Sequence, residues 1–458
     1  MLVKELHIRA FRGIESLNLE FRPGVNVFIG DNGVGKSSIL DCLTVLLCMY
    51  IKELKTLFEM HKKNRKNSTS SISANEGTSN IFLSNIVSNN INISSSSTIN
   101  LQIQNSQNRS NDIKSGSDSS TVEIKVGYKK EDFLWSQTIR KTEGEPSIKN
   151  DKQYLGALVV EIIEPYSPQM NIPLVTYYPV NRAVLDIVLE TSDTNQISQM
   201  EAFDESLTGA QAGFNAFFRW FRSLEDIENE ERRDDFNYRD YRLEAVRNAI
   251  PHFLPGFTNL RVRRSPLRMT VVKQGVELII NQLSDGEKCL LAIVGDLARR
   301  LAIANPGLSD PLQGSGIVLI DEIELHLHPQ WQRGIIPKLT STFPNCQFIL
   351  STHSPQIISD VYPESIYVLQ RTTQGLIASR PTSSFGRDSN QILEELMDVP
   401  DRPERFKQEL QALFRLIDEG NLEAAKQLKT ELEQQIGMDE PEFAKADVMI
   451  RRKEILGR

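Results

Sequence analysis

Residues 28–40 read FIGDNGVGKSSIL, where an apolar run meets a glycine-rich turn that leads into Lys-Ser-Ser and further apolar residues. The close spacing of the glycines favours backbone conformations that other residues rarely adopt. Residues 30–37 fit the phosphate-loop pattern, in which backbone N–H groups surround phosphates at the N-terminus of a helix. Residues 25–29 read as a buried strand before the loop, and a helical pattern follows it, so the local context agrees with the motif.

The loop predicts specific contacts to a nucleotide. Lys36 would contact the β- and γ-phosphates as a point charge, and the Ser37 hydroxyl would ligate magnesium. The residues expected to surround the phosphates are Gly30, Asn32, Gly33, Val34, Gly35, Lys36, Ser37 and Ser38.

The composition is that of a globular protein, with 458 residues of which 40% are apolar and 24% charged. A net charge of −8 argues against a generally basic nucleic-acid coat. Local basic patches at 61–66, 261–268 and 451–453 remain open as nucleic-acid sites, although a solvated surface is the more common role.

Other features bear on location. The four cysteines form no C-x-x-C pair and lie in apolar surroundings, which predicts buried thiols and a reducing compartment. The apolar stretches are too short to span a bilayer, and the N-terminus resembles a strand rather than a signal peptide. We therefore expect a cytoplasmic protein without a membrane partner.

Most of the chain alternates between strand and helix patterns. Residues 2–29 read as three strands, 122–139 as an antiparallel pair, and 200–250 as helical. Phe214, Phe217, Phe218 and Phe221 have helical spacing, which favours core packing over base stacking. Residues 64–120 are rich in Asn and Ser and are predicted to be a disordered insertion, with short strands near 81–83 and 91–93 as the alternative.

A second apolar strand, 317–320, ends in two carboxylates. Asp321 there could hold magnesium and Glu322 could polarise the attacking water. A strand that merely ends in an acidic turn is the alternative. A transition-metal site is another, because Glu322, Glu324, His326 and His328 would share one face of an extended segment.

A third apolar strand, 347–353, ends at His353. This histidine would lie beside the γ-phosphate if its strand neighbours the one that ends at Asp321. Satisfied packing or a capping role is the alternative.

Residues 283–287, Leu-Ser-Asp-Gly-Glu, open another helix, with Ser284 and Glu287 spaced as in a capping box. Capping does not account for Gly286. This segment resembles the signature motif of ABC-type ATPases, and Ser-Thr-His-Ser-Pro at 351–355 resembles their switch-histidine segment. Phosphate loop, signature, Asp-Glu strand and switch histidine stand in the family's order.

The resemblance implies an α/β fold: an ABC-type P-loop NTPase head with a mixed sheet, flanking helices and an antiparallel β subdomain, together with a helical insertion and a C-terminal helical hairpin. It implies ATP and Mg²⁺ as cofactors, Glu322 and His353 as catalytic residues, and Ser37 and Asp321 as metal ligands. It also implies a homodimer or higher homo-oligomer in which Ser284, Gly286 and Glu287 of one copy meet the nucleotide of the other.

Leu6 to Ile14 and Asp321 to Pro329 are similar to the RecF/SMC/OLD-like branch of this family, in which Arg12 would contact nucleotide. The tail, from Ser384 to Asn390 and on to Arg458, resembles standalone ATPases of bacterial antiphage loci of the Septu PtuA type. That resemblance implies an HNH-type nuclease as a separate partner, and DNA as a further one.

The signature departs from the family pattern. Asp285 stands where many ABC proteins have Gly, and Glu287 stands where transporters have Gln, so binding to the second copy's phosphate could be weaker. The magnesium-sensing glutamine has no clear counterpart, since Asn181-Arg182 follows the appropriate strand.

The predicted organisation has five parts: a first lobe at 1–60 and 121–182, the insertion at 64–120, a helical insertion with returning strands at 183–280, a second lobe at 281–385, and a helical region at 386–458. The predicted function is Mg-dependent ATP hydrolysis that drives head dimerisation and regulates a nuclease or a DNA transaction. The alternatives are a nucleotide-gated scaffold with negligible turnover and a DNA-translocating clamp.

Overall fold

The computed structural model describes residues 1–69, 110–143, 145–164, 166–180, 198–208, 211–373, 375–400 and 402–456. The chain divides into two compact units, Met1–Arg387 and Asp388–Arg458. All the residues predicted to bind nucleotide belong to the first unit, as do the predicted lobes and the helical insertion between them.

Over its described residues, the first unit combines three sheets with flanking helices. Its strands are β1 Leu2–Phe11, β2 Ile14–Glu20, β3 Val25–Ile29, β4 Ser119–Tyr128, β5 Glu131–Arg140, β6 Ser147–Asp151, β7 Leu174–Tyr178, β8 Phe257–Arg264, β9 Leu267–Lys273, β10 Val276–Ile279, β11 Gly316–Ile320, β12 Cys346–Ser351, β13 Ile366–Thr372 and β14 Gly375–Ser379. Its helices are α1 Lys36–Thr69, α2 Gln153–Ile163, α3 Gln211–Glu231, α4 Tyr241–Phe253, α5 Asp285–Ala304, α6 Pro329–Gln332, α7 Ile335–Thr342 and α8 Pro355–Ile358.

The central sheet has the strand order β14-β13-β3-β12-β11-β7. Only β14 pairs antiparallel, so the sheet is mixed as predicted. Every residue of β7, β11 and β12 is buried. Strands covered on both faces can be apolar throughout, which is why these segments lack the alternation of a half-exposed strand.

The antiparallel subdomain is a five-stranded sheet of order β2-β1-β4-β5-β6. Buried and accessible residues alternate along β4 and β5, because one face packs against the protein interior. On that face the indole N–H of Trp135 donates a hydrogen bond of 2.9 Å to the Leu46 carbonyl of α1. A third sheet, β10-β9-β8, follows helix α4 in the chain.

The boundaries of the Asn- and Ser-rich insertion differ from the prediction. Helix α1 continues to Thr69, and residues 110–120 join the fold, since Ile113 bridges to Phe11 and β4 already begins at Ser119. The polar composition of residues 110–120 predicts disorder. In the structure, pairing with β1 supplies hydrogen bonds that order this segment. Residues 70–109, which include both apolar islets, lie outside the described residues.

The helical pattern over 200–250 corresponds to α3 and α4. The four phenylalanines of α3 are buried, as core packing requires, and the ring of Phe217 lies against Gly295 of α5. The segment that joins β7 to this region, 181–197, is outside the described residues, and so is the predicted position Asn181-Arg182.

The second unit is helical, with α9 Ser389–Leu396, α10 Glu404–Asp418, α11 Leu422–Ile436 and α12 Pro441–Leu456. The predicted hairpin corresponds to α10 and α11, which turn at Gly420 with a φ of 81°. Helix α12 adds a third element to the same core through Phe443, Ala446 and Ile450.

Two further expectations concern the cysteines and membrane-spanning helices. The four cysteines are free thiols and all of them are buried, as the sequence predicts. Among the described residues, none of the helices combines the length and the apolar character needed to cross a bilayer.

Candidate functional site

Three of the predicted motifs meet at one edge of the central sheet. Strands β3, β12, β11 and β7 are parallel neighbours, so their carboxyl ends lie side by side. The phosphate loop follows β3, the Asp-Glu pair follows β11, and His353 follows β12. The strand adjacency on which the interpretation of His353 depended is therefore confirmed. In open α/β sheets this edge is where ligands bind.

The phosphate loop joins β3 directly to α1, as predicted. Gly30, Gly33 and Gly35 have positive φ values of 139°, 73° and 131°. A Cβ atom on Gly30 would lie 2.4 Å from the carbonyl oxygen of Leu369, in the neighbouring strand β13. The glycine at this position thus permits both the loop conformation and the close approach of β13.

Lys36 is the first residue of α1 and is 6% exposed. Its ammonium group donates hydrogen bonds to the carbonyl oxygens of Gly30, at 2.8 Å, and Asp31, at 2.9 Å. Burial lowers the pKa of Lys36, and the carboxylates of Asp321 and Glu322 are among the charges that oppose the shift. The lysine and the carboxylates therefore share one electrostatic environment.

The other predicted loop residues line the same turn. Val34 is buried, and its N–H donates to the Asp31 carbonyl at 3.3 Å. Asn32 and Ser37 are exposed, and Ser38 is partly buried. The Ser37 hydroxyl is thus accessible from solvent in the first turn of α1.

Asp321 is buried at the end of β11. Its carboxylate accepts a hydrogen bond from the Ser351 hydroxyl, and its backbone N–H donates to the Tyr178 carbonyl at 2.9 Å. Glu322 has a φ of 46°, a conformation uncommon outside glycine, and its N–H donates to the Ser351 hydroxyl at 2.8 Å. Strain of this kind is typical of functional sites because the surrounding structure must hold it in place.

His353 is partly buried beyond the end of β12. Burial, followed by the positive charge of Lys36, lowers the pKa of His353, and the carboxylates of Glu324, Glu322 and Asp321 oppose the shift. The imidazole therefore belongs to the same group of charges as the phosphate loop and the Asp-Glu pair.

These residues fit a nucleotide with magnesium. Gly30 and Gly35 have positive φ values, and a Cβ atom on either would contact neighbouring parts of the protein, so the loop conformation requires glycine there. The ammonium group of Lys36 is already held at the loop. Ser37 and Asp321 offer hydroxyl and carboxylate oxygens, the ligand type that Mg²⁺ prefers.

The predicted signature segment forms the N-terminus of α5. The Ser284 hydroxyl accepts from the Glu287 N–H at 3.4 Å, and the Ser284 backbone N–H donates to the Glu287 carboxylate at 3.0 Å, which confirms the capping box. The Ser284 hydroxyl also donates to that carboxylate at 2.9 Å. Glu287 also pairs with Lys273 at 2.6 Å. Burial would raise the pKa of Glu287, but the hydrogen bonds from Lys273 and Ser284 outweigh it and lower the pKa.

Gly286 has a packing role that the capping box does not explain. A Cβ atom there would lie 2.5 Å from the His326 carbonyl oxygen and 3.2 Å from the Trp331 ring. Within the described part of the chain, no hydrogen bond or ion pair joins Ser284, Gly286 or Glu287 to the phosphate loop. The structure thus brings three of the predicted motifs together, while the described hydrogen bonds and ion pairs of the signature residues do not reach the phosphate loop.

Arg12 lies beside the phosphate-loop helix. Its guanidinium pairs with Asp41 of α1 and, at 3.0 Å, with Asp112. Burial would lower the pKa of Arg12, but the two carboxylates outweigh it and raise the pKa. Asp112 belongs to the segment that the sequence predicted to be disordered, so this partner could not have been anticipated from composition.

The transition-metal interpretation of residues 322–328 is not supported. It requires an extended segment, whereas the chain forms tight turns. In these turns the Leu325 N–H donates to the backbone carbonyl of Glu322, and the Leu327 N–H donates to the backbone carbonyl of Glu324. His328 instead caps α6 by accepting from the Gln330 N–H. In the portions of the chain that the structure describes, no group of three or more His, Cys, Asp or Glu side chains could hold a metal ion.

Sequence reasoning missed two contributors to the site. Ser351 joins Asp321 to Glu322, and Glu324 accepts hydrogen bonds from the hydroxyl of Thr352 and the N–H of His353. The sequence does place Glu324 two residues after Glu322, but the metal interpretation took this spacing as evidence for metal ligands.

The basic patch at 261–268 is largely paired with acidic residues. Arg263 pairs with Glu277 at 2.7 Å, and Arg264 pairs with Glu225 and Asp226. These ion pairs reduce the positive potential that a nucleic-acid site would need.

Comparison with known proteins identifies the family. The AAA ATPase domain family matches residues 1–358, a span that includes the phosphate loop, the Asp-Glu pair and His353. The chain belongs to this family.

Three relatives of this AAA ATPase domain protein indicate its wider context. It is 28% identical to the Retron Ec83 probable ATPase of Escherichia coli, over 98% of this chain and 87% of that protein. It is 23% identical to the Septu protein PtuA of Bacillus thuringiensis, over 92% of this chain and 91% of that protein. A shorter match, 40% identical over 14% of this chain and 18% of that protein, is to the DNA replication and repair protein RecF of Alkaliphilus oremlandii. The resemblance to PtuA-type and RecF-type ATPases is thereby confirmed.

Proposed function

We propose that this AAA ATPase domain protein binds ATP with Mg²⁺ at the carboxyl edge of its central sheet and hydrolyses it, and that two copies close around the nucleotide. The observation that carries the proposal is the convergence of Lys36, Asp321, Glu322 and His353 at the ends of three adjacent parallel strands. A phosphate-binding loop, a magnesium ligand and a group that activates water are the parts that phosphoryl transfer requires.

Each residue has a distinct part in this proposal. The backbone N–H groups of the loop and the Lys36 ammonium bind the β- and γ-phosphates, and Ser37 and Asp321 hold the magnesium ion. Bound magnesium supplies charge neutralisation for the triphosphate. Glu322 orients the attacking water and accepts its proton, and His353 donates a hydrogen bond towards the γ-phosphate.

The proposed dimer accounts for the position of the signature. Ser284 and Gly286 form a helix N-terminus, which is suited to bind an anion through its N–H groups and dipole. Since no described contact joins them to the phosphate loop of their own chain, a second copy is the proposed source of the phosphate that they bind. Arg12, beside α1, is the further proposed nucleotide contact.

The proposed output of the ATPase cycle is regulation of a nuclease or a DNA transaction. The relatives support this through their names, which place such ATPases in a retron, in a Septu system and in DNA replication and repair. An HNH-type nuclease is the proposed partner, and antiphage defence is the proposed setting.

Phosphate release measured over a wide range of protein concentrations tests this function. Because each site needs a second copy, release per molecule should rise with concentration and then level off. Ser284→Arg should lower it at every concentration by obstructing closure, and thermal unfolding would check that the variant folds. Release that is independent of concentration and unaffected by Ser284→Arg would rule out catalysis by a closed dimer.

One observation favours a second candidate, a nucleotide-gated scaffold with negligible turnover. The Ser284 hydroxyl already donates to the Glu287 carboxylate, so it would have to give up this bond in order to donate to a phosphate. In this case ATP would still promote dimerisation, measured by light scattering, but phosphate release would stay at background with and without DNA.

A further inference from the structure

The third acidic residue after β11 has no part in the proposed chemistry, yet it has two well-defined partners. One carboxylate oxygen of Glu324 accepts from the Thr352 hydroxyl at 2.7 Å, and the other accepts from the His353 backbone N–H. A carboxylate that accepts two converging donors holds them more firmly than a neutral acceptor would, because charge-assisted hydrogen bonds are stronger.

The loop that carries Glu324 is held in place by other contacts. Near its start, the Ile323 N–H donates to the Ser351 carbonyl at 3.1 Å. Near its end, the Gln332 amide donates to the Leu327 carbonyl at 2.9 Å, and the Ser354 hydroxyl donates to Gln332 at 2.6 Å. The position of the loop therefore does not depend on Glu324, whose contacts act on the segment that bears the histidine.

We propose that Glu324 is a positioning residue for His353, which it holds in register with the Asp-Glu pair through the backbone N–H of His353 and the hydroxyl of Thr352. This inference rests on the proposed ATP hydrolysis. Asp321 and Glu324 lie three residues apart on one loop. Asp321 holds the hydroxyl of Ser351 and Glu324 holds that of Thr352, the next residue at the end of β12.

The same loop reaches the signature helix, since the carbonyl oxygen of His326 lies against Gly286. Movement of α5 on closure of the proposed dimer would therefore press on a loop that also contacts the His353 segment. Glu324, which accepts from the His353 N–H itself, is in a position to pass that movement to the histidine.

The test compares Glu324→Ala and Glu324→Gln with the control Glu364→Gln, an exposed residue before β13 at the opposite edge of the sheet. Glu324→Ala should reduce kcat at least about tenfold, as misplaced catalytic groups do, with little change in the Kd for Mg-ATP. Glu324→Gln, which keeps one acceptor and can donate to Thr352, should lose less. The control should match the wild type.

A double-mutant cycle with His353→Ala tests whether the effect of Glu324 on kcat depends on His353. If Glu324 acts through the histidine, Glu324→Ala should cost little further kcat in the His353→Ala background. Full additivity of the two losses would overturn the proposal. A merely structural role would instead lower the melting temperature without this non-additivity.

Hydrogen exchange of the His353 amide gives a readout that does not need turnover. The amide should exchange faster in Glu324→Ala than in the wild type and the control. Unchanged exchange would overturn the positioning role even if the protein hydrolyses ATP. A wild-type protein without phosphate release, in contrast, would overturn the proposed hydrolysis, while faster exchange in the variant would still support the contact.

Discussion

The ammonium group of Lys36 donates a hydrogen bond of 2.8 Å to the carbonyl oxygen of Gly30, so the residue that begins α1 reaches back to the start of the phosphate loop. A second bond, to Asp31, holds the same group from the neighbouring carbonyl. The flexible lysine side chain is thereby ordered at the loop, and less conformational entropy would be lost when a phosphate binds.

Lys36→Ala should weaken ATP binding strongly, because the phosphates lose a charged hydrogen-bond donor worth about 1.5–3 kcal/mol. That corresponds to an increase of at least about tenfold in the Kd for Mg-ATP. Isothermal titration calorimetry would measure it, with Lys149→Ala on the exposed strand β6 as a matched loss of positive charge. Equal Kd values for Lys36→Ala and the control would remove the lysine from the site.

Glu322→Gln should preserve ATP binding and reduce hydrolysis by about a hundredfold or more, because the amide cannot accept a proton from water. The backbone N–H of Glu322 would still bond to Ser351, so the strained turn should persist. Phosphate release and the Kd for Mg-ATP should be measured together, with Glu131→Gln on the exposed end of β5 as the control. Turnover equal to that of the wild type would exclude Glu322 as the base.

Gly286→Ala should destabilise the junction between the signature helix and the 321–332 loop. The added methyl would lie 2.5 Å from a backbone oxygen that cannot rotate away, and overpacking of this kind costs about 1–3 kcal/mol. Gly156→Ala is the control, since this helical glycine has open space around its Cβ position and should gain up to about 1 kcal/mol. Denaturant unfolding would measure both. Similar stabilities for the two variants would contradict the packing role of Gly286.

Much of the site was predictable because its parts are local in sequence. The strand, the three glycines and the lysine of the phosphate loop are contiguous, and β11 and β12 each carry their polar residues immediately after an apolar run. Parallel strands bring such ends to one edge, so adjacency of the strands was the single non-local fact required. The structure supplies it through the pairing of β12 with both β3 and β11.

The remaining contacts depend on pairings across long stretches of chain. Asp112 meets Arg12 across a sequence separation of 100 residues, from a segment whose composition alone predicts disorder. Position 286 requires glycine because the carbonyl oxygen of His326 lies against it. The pattern of side chains in the sequence does not reveal such a backbone contact. The role of Glu324 likewise depends on which atoms of the next strand face it, and residue spacing does not specify this.

A buried charge cluster links the signature helix to β7. Asp296 of α5 accepts from Arg299 at 2.7 Å, from Arg300 at 2.6 Å and from the Tyr178 hydroxyl at 3.0 Å. Burial alone would raise the pKa of Asp296, but the two guanidinium groups outweigh it and lower the pKa to about 2. Removing the carboxylate leaves buried positive charge uncompensated, so Asp296→Asn should cost about 3–5 kcal/mol of stability.

The pH dependence of that loss follows from the sign of the shift. The folded pKa of Asp296 lies below the unfolded value of about 3.9, so its stabilising contribution is present above about pH 4 and is lost as the pH falls towards 2. The difference in the free energy of unfolding between the wild type and Asp296→Asn should therefore shrink over this range. Denaturant unfolding of the wild type and Asp296→Asn at several pH values between 5 and 2 would measure it. A difference between wild type and Asp296→Asn that stays constant across the range would show that the carboxylate is not held by the two arginines.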